Sequence, residues 1–298
     1  SSLRPPRLRG ELLRTSLGVR HNGYRLADPR GATHTAAMKS ARYFHIDAFT
    51  HHLFSGNPAG VCLLEEWPED DLLQKVAAEN NLSETAFLVP AKEGYHLRWF
   101  TPKVEVDLCG HATLASAHLV FTELKPKAQL VSFETRSGTL TVRRSAELMV
   151  MDFPALPAVP APAPAGLIDG LGRAPKEILK ARDYLCIFDT EEEVLALQPR
   201  LDLLAKVDSL GIIASAPAQA SDFMSRFFAP RAGISEDPVT GSAHCTLIPY
   251  WSKRLGKKEL IAHQASERGG DIYCTDRNDR VLLAGYAVTY LEGRVHLG

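Results

Sequence analysis

Apolar and polar residues alternate over residues 82–89 as they do in a β-strand, with one acid placed among aliphatic side chains. Successive side chains point to opposite faces of a strand, so Glu84 shares its predicted face with Leu82, Ala86 and Leu88. A carboxylate in such surroundings loses hydration, and its pKa rises towards values at which it takes up and returns a proton near neutral pH. Glu84 is therefore a candidate for acid–base chemistry; the alternative is an ordinary surface or edge-strand residue.

The residues before this strand predict an amphipathic helix. It starts near Pro68, carries acids in its first turn, where they suit the helix dipole, and ends at Asn80-Asn81. Its predicted buried stripe consists of Leu72, Leu73, Val76 and Ala77. A second predicted helix, rich in small residues, follows Gly110 and runs to about Phe121. Further strands are predicted at residues 43–49, 61–64, 95–100, 104–108, 130–134 and 139–143, the last two as a hairpin.

Three motifs of the first half recur in the second half at nearly constant spacing, which indicates an internal duplication. The pairs are Arg98-Trp99-Phe100-Thr101-Pro102 with Arg226-Phe227-Phe228-Ala229-Pro230, Gly110-His111-Ala112 with Gly241-Ser242-Ala243, and Arg136-Ser137-Gly138 with Arg268-Gly269-Gly270. Their offsets are 128, 131 and 132 residues, so we interpret the chain as two copies of one domain. Under the first offset Ile212 occupies the place of Glu84. An acid in one half alone is expected for a site between two similar halves, with neutral divergence as the alternative.

The composition changes abruptly at residues 154–166, which carry five prolines among alanines. Such a segment is extended and semi-rigid, so we interpret it as a linker between a first domain at 41–153 and a second at 167–298, whose last strand is free to pack on the first domain. Residues 1–40 contain seven arginines, two acids and no sustained periodicity, and the first methionine is Met38. We interpret them as a tag, a cloning remnant or an upstream extension without a fold, with an organellar targeting peptide as the alternative.

Composition narrows the class of protein. The chain has 298 residues, of which 45% are hydrophobic and 23% charged, and its formal net charge of -1 is typical of a soluble globular protein with no affinity for nucleic acid. No run approaches the roughly 18 apolar residues that span a bilayer, and no signal-peptide pattern is present, so a cytoplasmic location is expected. The cysteines are odd in number and far apart, which favours reduced thiols over disulfides or a paired-cysteine zinc site. They are Cys62, Cys109, Cys186, Cys245 and Cys274.

Two glycines precede predicted helices in the duplicated motifs, Gly110 in the first half and Gly241 in the second. A helix start leaves backbone N–H groups unpaired, and the helix dipole favours an anion there, so two such starts at one cleft are expected to hold a carboxylate. His111 stands at the first start. Asp237, Thr240 and Ser242 stand at the second. Taken singly, Asp237 is explained as a helix cap and His111 as a turn residue.

Glutamate, histidine and aspartate around an anion-binding cleft are the parts of a site that moves a proton on a small carboxylic acid without a cofactor. The sequence has no dinucleotide fingerprint, no phosphate loop and no spaced metal ligands. The adjacent His51 and His52, with His45 nearby, are interpreted as solvated turn residues rather than metal ligands.

Six motifs in this order resemble the PhzF-like family of phenazine-biosynthesis proteins. They are Asp47-Ala48-Phe49-Thr50, Gly56-Asn57-Pro58-Ala59, Asn81-Leu82-Ser83-Glu84-Thr85, Arg98-Trp99-Phe100-Thr101-Pro102, Cys109-Gly110-His111-Ala112-Thr113 and Asp237-Pro238-Val239-Thr240-Gly241-Ser242-Ala243. The resemblance covers roughly residues 42–298. It implies the diaminopimelate-epimerase-type α/β fold, with two similar halves, each a curled mixed sheet around a central helix, and the active site between them. It also implies a homodimer and a cofactor-independent isomerase.

Carried over residue by residue, the resemblance makes Glu84 the catalytic residue that withdraws and returns a proton, with His111 and Asp237 beside it. It makes Gly110 and Gly241 backbone donors to the substrate. The remaining substrate-binding positions are Ala112, Thr240 and Ser242.

One position departs from the pattern of the epimerase and racemase relatives, which place a catalytic cysteine before each helix-start glycine. Here those places hold Cys109 and Thr240, so a symmetric two-thiol racemisation is not available. A Cys109-dependent epimerase or dehydratase stays open as an alternative, and so does a catalytically silent interaction protein of the same fold.

Overall fold

The structure is a computed structural model and describes residues 39–298, which form one compact unit. The predicted extension at residues 1–40 therefore lies outside the described residues, apart from Lys39 and Ser40. In the described part of the chain no helix is both long enough and apolar enough to cross a membrane.

Seventeen strands join into one sheet. They are β1 Ser40–Ala48, β2 Asn57–Leu63, β3 Glu84–Pro90, β4 Tyr95–Phe100, β5 Glu105–Val106, β6 Leu130–Thr135, β7 Gly138–Ser145, β8 Leu148–Pro154, β9 Val159–Pro160, β10 Glu177–Lys180, β11 Tyr184–Ile187, β12 Ile212–Pro217, β13 Phe223–Phe228, β14 Glu259–Gln264, β15 Gly270–Asp276, β16 Arg280–Gly285 and β17 Ala287–His296. The α-helices are α1 Asp70–Asn80, α2 Gly110–Leu119, α3 Leu167–Leu171, α4 Glu191–Leu195, α5 Leu201–Leu204 and α6 Gly241–Leu255. A π-helical turn, Val120–Leu124, extends α2, and a short 3₁₀ turn covers Pro230–Ala232.

The strand order repeats about the centre of the sheet, where β8 pairs with β16. On one side the pairing runs β8-β7-β6-β4-β3-β2-β1, and on the other β16-β15-β14-β13-β12-β11-β10. The parallel pairs fall at matching places, β2 with β3 and β4 with β6 against β11 with β12 and β13 with β14. The predicted fold class, two similar mixed α/β halves, is confirmed.

The two outermost strands are exchanged between the halves. β17, at the end of the chain, pairs with β1, and β9, from the Pro-rich segment, pairs with β10. The segment at 154–166 thus contributes a short strand to the sheet, which its proline content did not indicate. The division into domains at this segment stays a prediction.

Each half wraps its sheet around one buried helix. In α2 the small and apolar residues face all directions, and nearly all of its side chains are buried, as expected for a helix enclosed by protein. α6 is buried over most of its length, and its Trp251 stacks on Phe223 of β13 at 5.5 Å between ring centroids. Side chains of both helices share the main hydrophobic core, so the packing fixes one helix against the other.

An arginine–glutamate pair holds the segment before each central helix. Arg98 donates two hydrogen bonds of 2.7 Å to Glu105, and Arg226 donates two of 2.8 Å to Glu236. Both pairs are largely shielded from solvent, and planar bidentate pairs are the strongest kind of ion pair. The duplication therefore preserved the contact that places each helix start.

The end of α1 agrees with the prediction, and two strands differ from it. α1 ends where predicted, with Asn81 in the left-handed conformation at φ 49°. The strand predicted at 104–108 is reduced to the two residues of β5, because Val104 and Leu108 are exposed and the bidentate pair with Arg98 holds Glu105 in place. The strand β8 was missed, since its apolar side chains merge into the Pro-rich segment.

Candidate active site

Glu84 is the first residue of β3 and lies beside Ala59 of β2 in the parallel register. Its neighbours Ala86 and Leu88 on the same strand face belong to the main core, and its side chain is only 13% exposed. Burial, reinforced by the charge of Asp237 and opposed by a hydrogen bond with Cys109, raises the pKa of Glu84 to about 8. The direction of this shift agrees with the strand pattern, since loss of hydration disfavours the charged form.

Gly110 and Gly241 begin α2 and α6 and face each other. A Cβ atom added to either glycine would lie 3.8 Å from the Cα atom of the other. The unpaired N–H groups and positive dipole ends of two long helices therefore meet at one place, which favours an anion there. The structure brings together the two helix starts that the repeat predicted.

His111 lies against Glu84, with its Nε2 atom 3.2 Å from Glu84 Oε2. The two atoms lack the alignment of a hydrogen bond, and both are buried without another partner among residues 39–298. The other ring nitrogen, Nδ1, is 3.5 Å from Cys109 Sγ. Burial lowers the pKa of His111 and keeps the ring neutral near neutral pH. Two unpaired polar atoms thus lie side by side, and a bound molecule would supply their missing hydrogen bonds.

Asp237 lies before α6 in the second half, and both of its carboxylate oxygens accept hydrogen bonds. Asn57 Nδ2 donates to Oδ1 at 2.9 Å, and the hydroxyl of Thr240 donates to Oδ2. Burial raises the pKa of Asp237 to about 6, against the opposing effect of these two hydrogen bonds. Gln264 completes the network, because its amide donates to the backbone oxygen of Asp237 at 2.7 Å and accepts from Thr240 N at 2.8 Å.

Asn57 was not predicted as a site residue, although it lies in one of the recognised motifs. It starts β2, and its amide also donates to Val239 O at 2.9 Å, so two acceptors of the second half fix its orientation. The turn before it requires glycine, since Gly56 has φ +69° and an added Cβ would lie 2.3 Å from Ala48 O. No sequence pattern identifies a partner that is 180 residues away.

Ser242 and Ala112 do not join the cluster around Glu84. Ser242, the second residue of α6, accepts a hydrogen bond of 2.7 Å from Arg182 Nη2, and Arg182 was also missed at the level of sequence. Ala112 is fully buried, and its backbone hydrogen bond to Cys109 opposes part of the rise that burial causes in the thiol pKa.

Cys109 is buried next to Glu84, and burial with the nearby charge of Glu84 raises the pKa of its thiol well above the ordinary value. A thiol in this state is a poor nucleophile and base, because the thiolate is the reactive form. Burial therefore holds the thiol of Cys109 in its less reactive, protonated form.

One group of side chains in the described part of the chain has the composition of a metal site. Donor atoms of Glu84, Cys109 and His111 all lie within 4.8 Å of one another, and such a set suits Zn²⁺. A metal would have to displace protons from two groups that burial keeps protonated. His51 and His52 lie outside it, exposed and with rings 4.0 Å apart.

A mixed sheet repeated in two halves, with a buried helix in each half starting at a shared site, defines a protein of the diaminopimelate-epimerase-like fold. A predicted epimerase from Pseudomonas aeruginosa, 18% identical, shares it with a TM-score of 0.66 over 86% of this chain and 98% of its own. The chain belongs to the PhzC-PhzF family of phenazine biosynthesis-like proteins, whose family model matches residues 46–293.

Two more similar proteins place the chain within this family. An uncharacterized isomerase of Pseudomonas aeruginosa is 48% identical over 254 residues, which cover 85% of this chain and 98% of the relative. The crystal structure of a PhzF-family phenazine biosynthesis protein from Enterococcus faecalis superimposes with a TM-score of 0.85 at 40% identity, over 87% of this chain and all of the other. The names of these relatives support an isomerase-like function.

Proposed function

We propose that this protein is a PhzF-like isomerase that moves a proton on a small carboxylic-acid metabolite without a cofactor, with Glu84 as the acid–base residue. The observation that carries the proposal is the state of Glu84: a buried carboxyl group with an unpaired oxygen, a pKa of about 8, and an immediate neighbour in His111. A carboxyl group that exchanges its proton near neutral pH meets the basic requirement for such a reaction.

The proposed reaction begins with the substrate carboxylate at the N–H groups of the helix starts of Gly110 and Gly241. The ionised oxygen of Glu84 accepts a proton from a substrate carbon, and the electron pair of that C–H bond delocalises towards the substrate carboxylate. The negative charge that develops there is stabilised by the helix-start N–H groups. Glu84 then returns the proton to another carbon as the double bond shifts, so the net change is an isomerisation. His111, Asp237 and Ser242 orient the polar groups of the substrate.

Solvent deuterium exchange tests the assignment of Glu84. A panel of small carboxylic acids is incubated with the protein in D₂O, and deuterium incorporation into substrate or product is followed by NMR. Glu84→Gln keeps the size of the side chain but removes the base, and we expect it to lower the exchange rate by about 10²- to 10⁴-fold. Glu79→Gln, on the exposed face of α1, is the matched control and is expected to exchange at the wild-type rate. Unchanged exchange in Glu84→Gln would refute the assignment.

The rival thiol-dependent function is tested on Cys109. Because the thiol pKa lies well above its ordinary value, we expect Cys109→Ala to retain most of the exchange activity and alkylating reagents to have little effect. A loss as large as that of Glu84→Gln would favour the epimerase or dehydratase alternative. Any measured turnover excludes the catalytically silent interaction protein.

The family resemblance also supports two proposals about the state of the protein. We propose that it acts as a homodimer, which sedimentation velocity measures directly. A cytoplasmic location is proposed as well, and fractionation of cells that produce the natural chain tests it.

A further inference from the structure

Glu84, Cys109 and His111 form a closed triangle of polar side chains. Glu84 Oε2 and His111 Nε2 lie 3.2 Å apart, and the other ring nitrogen of His111 lies 3.5 Å from Cys109 Sγ. The thiol of Cys109 also forms a hydrogen bond with Glu84, so each side chain lies against the other two. An oxygen, a nitrogen and a sulfur atom therefore converge on one small volume.

The spacing of these atoms suits coordination of one small cation. Zn²⁺ bonds of roughly 2.0–2.3 Å, set at tetrahedral angles, separate neighbouring donor atoms by about 3.3 to 3.8 Å. The donor atoms of the three side chains all lie within 4.8 Å of one another. Small side-chain rotations are therefore enough to bring all three into coordination distance.

Two of the three donor atoms have no other partner. Glu84 Oε2 and His111 Nε2 are buried and make no hydrogen bond to residues 39–298, and a cation between them would satisfy both at once. Burial lowers the pKa of His111 and keeps its ring neutral. A neutral imidazole has one nitrogen with a free lone pair, which is the form that binds a metal.

The surroundings favour a bound cation without adding a fourth ligand. The charge of Asp237 acts on Glu84, and a further negative charge nearby attracts a cation. Both carboxylate oxygens of Asp237 already accept hydrogen bonds, so the fourth coordination position is left to water. The backbone of Ala112 forms a hydrogen bond with the sulfur of Cys109 that favours the thiolate, the form that binds a metal.

We propose that Glu84, Cys109 and His111 form an inhibitory binding site for a thiophilic divalent cation, with Zn²⁺ as the test case. Coordinate bonds form from the thiolate sulfur, the carboxylate oxygen and one ring nitrogen, and the protons of Cys109 and Glu84 pass to solvent. The sulfur and nitrogen donors select against Mg²⁺ and Ca²⁺, which prefer oxygen ligands. The inhibition rests on the proposed function, because a carboxylate held by a metal cannot accept a substrate proton.

Titration of the full chain with Cd²⁺ tests the site without turnover, because a Cd²⁺–thiolate bond has its own charge-transfer band in the ultraviolet. We expect one equivalent of Cd²⁺ to produce the band, Zn²⁺ to abolish it by competition and Mg²⁺ to leave it unchanged. Cys109→Ser is expected to lose the band. Glu84→Gln and His111→Gln are expected to keep the band but bind Cd²⁺ at least about tenfold more weakly, since loss of an outer-shell partner alone costs roughly 10- to 100-fold.

Cys245→Ser is the matched control, because Cys245 is also a buried cysteine of a central helix and lies outside the donor group. We expect it to keep both the band and the wild-type affinity, and circular dichroism checks that each variant is folded. The proposal is overturned if the wild type gives no thiolate band, or if Cys109→Ser keeps it. Wild-type Cd²⁺ affinity in both Glu84→Gln and His111→Gln would overturn it as well.

Deuterium exchange separates this proposal from the proposed function. Zn²⁺ is expected to stop exchange by the wild type, and a chelator is expected to restore it; exchange that continues at saturating Zn²⁺ overturns the inhibition. A thiolate band in a protein whose exchange is independent of Glu84 rejects only the catalytic assignment. Exchange that depends on Glu84 in a protein without the band rejects only the metal site.

Discussion

Asn57 in the first half donates a 2.9 Å hydrogen bond to Asp237 in the second half. The charge of Asp237 adds to the effect of burial in raising the pKa of Glu84. Asn57, which lies in the first half, therefore affects Glu84 through a residue of the second half. The hydrogen bond also sets the position of one acid relative to the other. Asn57 is therefore a positioning residue for the Asp237 carboxyl group.

Removal of this hydrogen bond is expected to change the titration of Asp237. The bond from Asn57 lowers the Asp237 pKa, which burial has raised to about 6, so Asn57→Ala is expected to raise it further. Asn57→Asp, which replaces a donor by an acceptor, is expected to raise it more. Titration of ¹³C-labelled aspartate carboxyls by NMR measures the shift, and Asp237→Asn identifies the signal. An unchanged Asp237 titration in both variants would contradict the positioning role.

The exchange rate is expected to depend on the ionisation of Glu84. Its ionised form accepts the substrate proton, and its pKa is raised to about 8, so the rate at low substrate concentration should increase with pH and level off above about 8. Deuterium exchange measured from about pH 5 to about pH 9 gives the profile. A flat profile, or one that declines over this interval, would show that another group limits the reaction.

Glu84→Gln is expected to stabilise the folded protein at higher pH. The folded state holds the Glu84 proton more tightly than the unfolded chain, where the ordinary pKa is 4.5. The stability linked to this proton is fully present below the unfolded value and is lost as pH rises towards 8. The free energy of unfolding of the variant, relative to that of the wild type, should therefore increase between these pH values by on the order of a few kcal/mol.

Urea unfolding at about pH 5 and about pH 8 measures that difference. Glu79→Gln, whose side chain is exposed, is expected to show the same difference from wild type at both pH values. If Glu84→Gln behaves as this control does, the carboxyl of Glu84 is not held protonated by the fold.

Gly110→Ala is expected to reduce exchange without reducing stability. The added methyl group would lie 3.8 Å from the Cα atom of Gly241, an ordinary contact, and the backbone at Gly110 is not left-handed. The same group would occupy the space where the helix-start N–H groups meet an anion, so we expect at least a tenfold loss of exchange. A free energy of unfolding within about 1 kcal/mol of the wild-type value, measured by thermal unfolding, supports this account. A large loss of stability would show instead that the helices need the glycine to pack.

The sequence was most informative where chemistry and structure depend on neighbours along the chain. The strand pattern around Glu84 predicted both its burial and the direction of its pKa shift, and the end of α1 at Asn81 followed from local residue preferences. The duplication predicted that the glycine helix starts meet. These inferences need only periodicity and comparison of the chain with itself.

Residues that act through distant partners were missed. Asn57 contacts a residue 180 positions away, and Arg182 contacts one 60 positions away. An asparagine after a glycine and an arginine in a hairpin are common turn residues, and only the pairing of the strands shows what each side chain faces.

The exchange of the outer strands has a consequence for biosynthesis. β1 begins at Ser40 and pairs with β17, which spans Ala287–His296. While a ribosome is still translating the middle of the message, the first half already contains Glu84, yet its edge at β1 lacks a partner. Such an unpaired edge is prone to association with other chains. Completion of the first half therefore awaits synthesis of β17, and termination before β17 should leave a product that depends on chaperones.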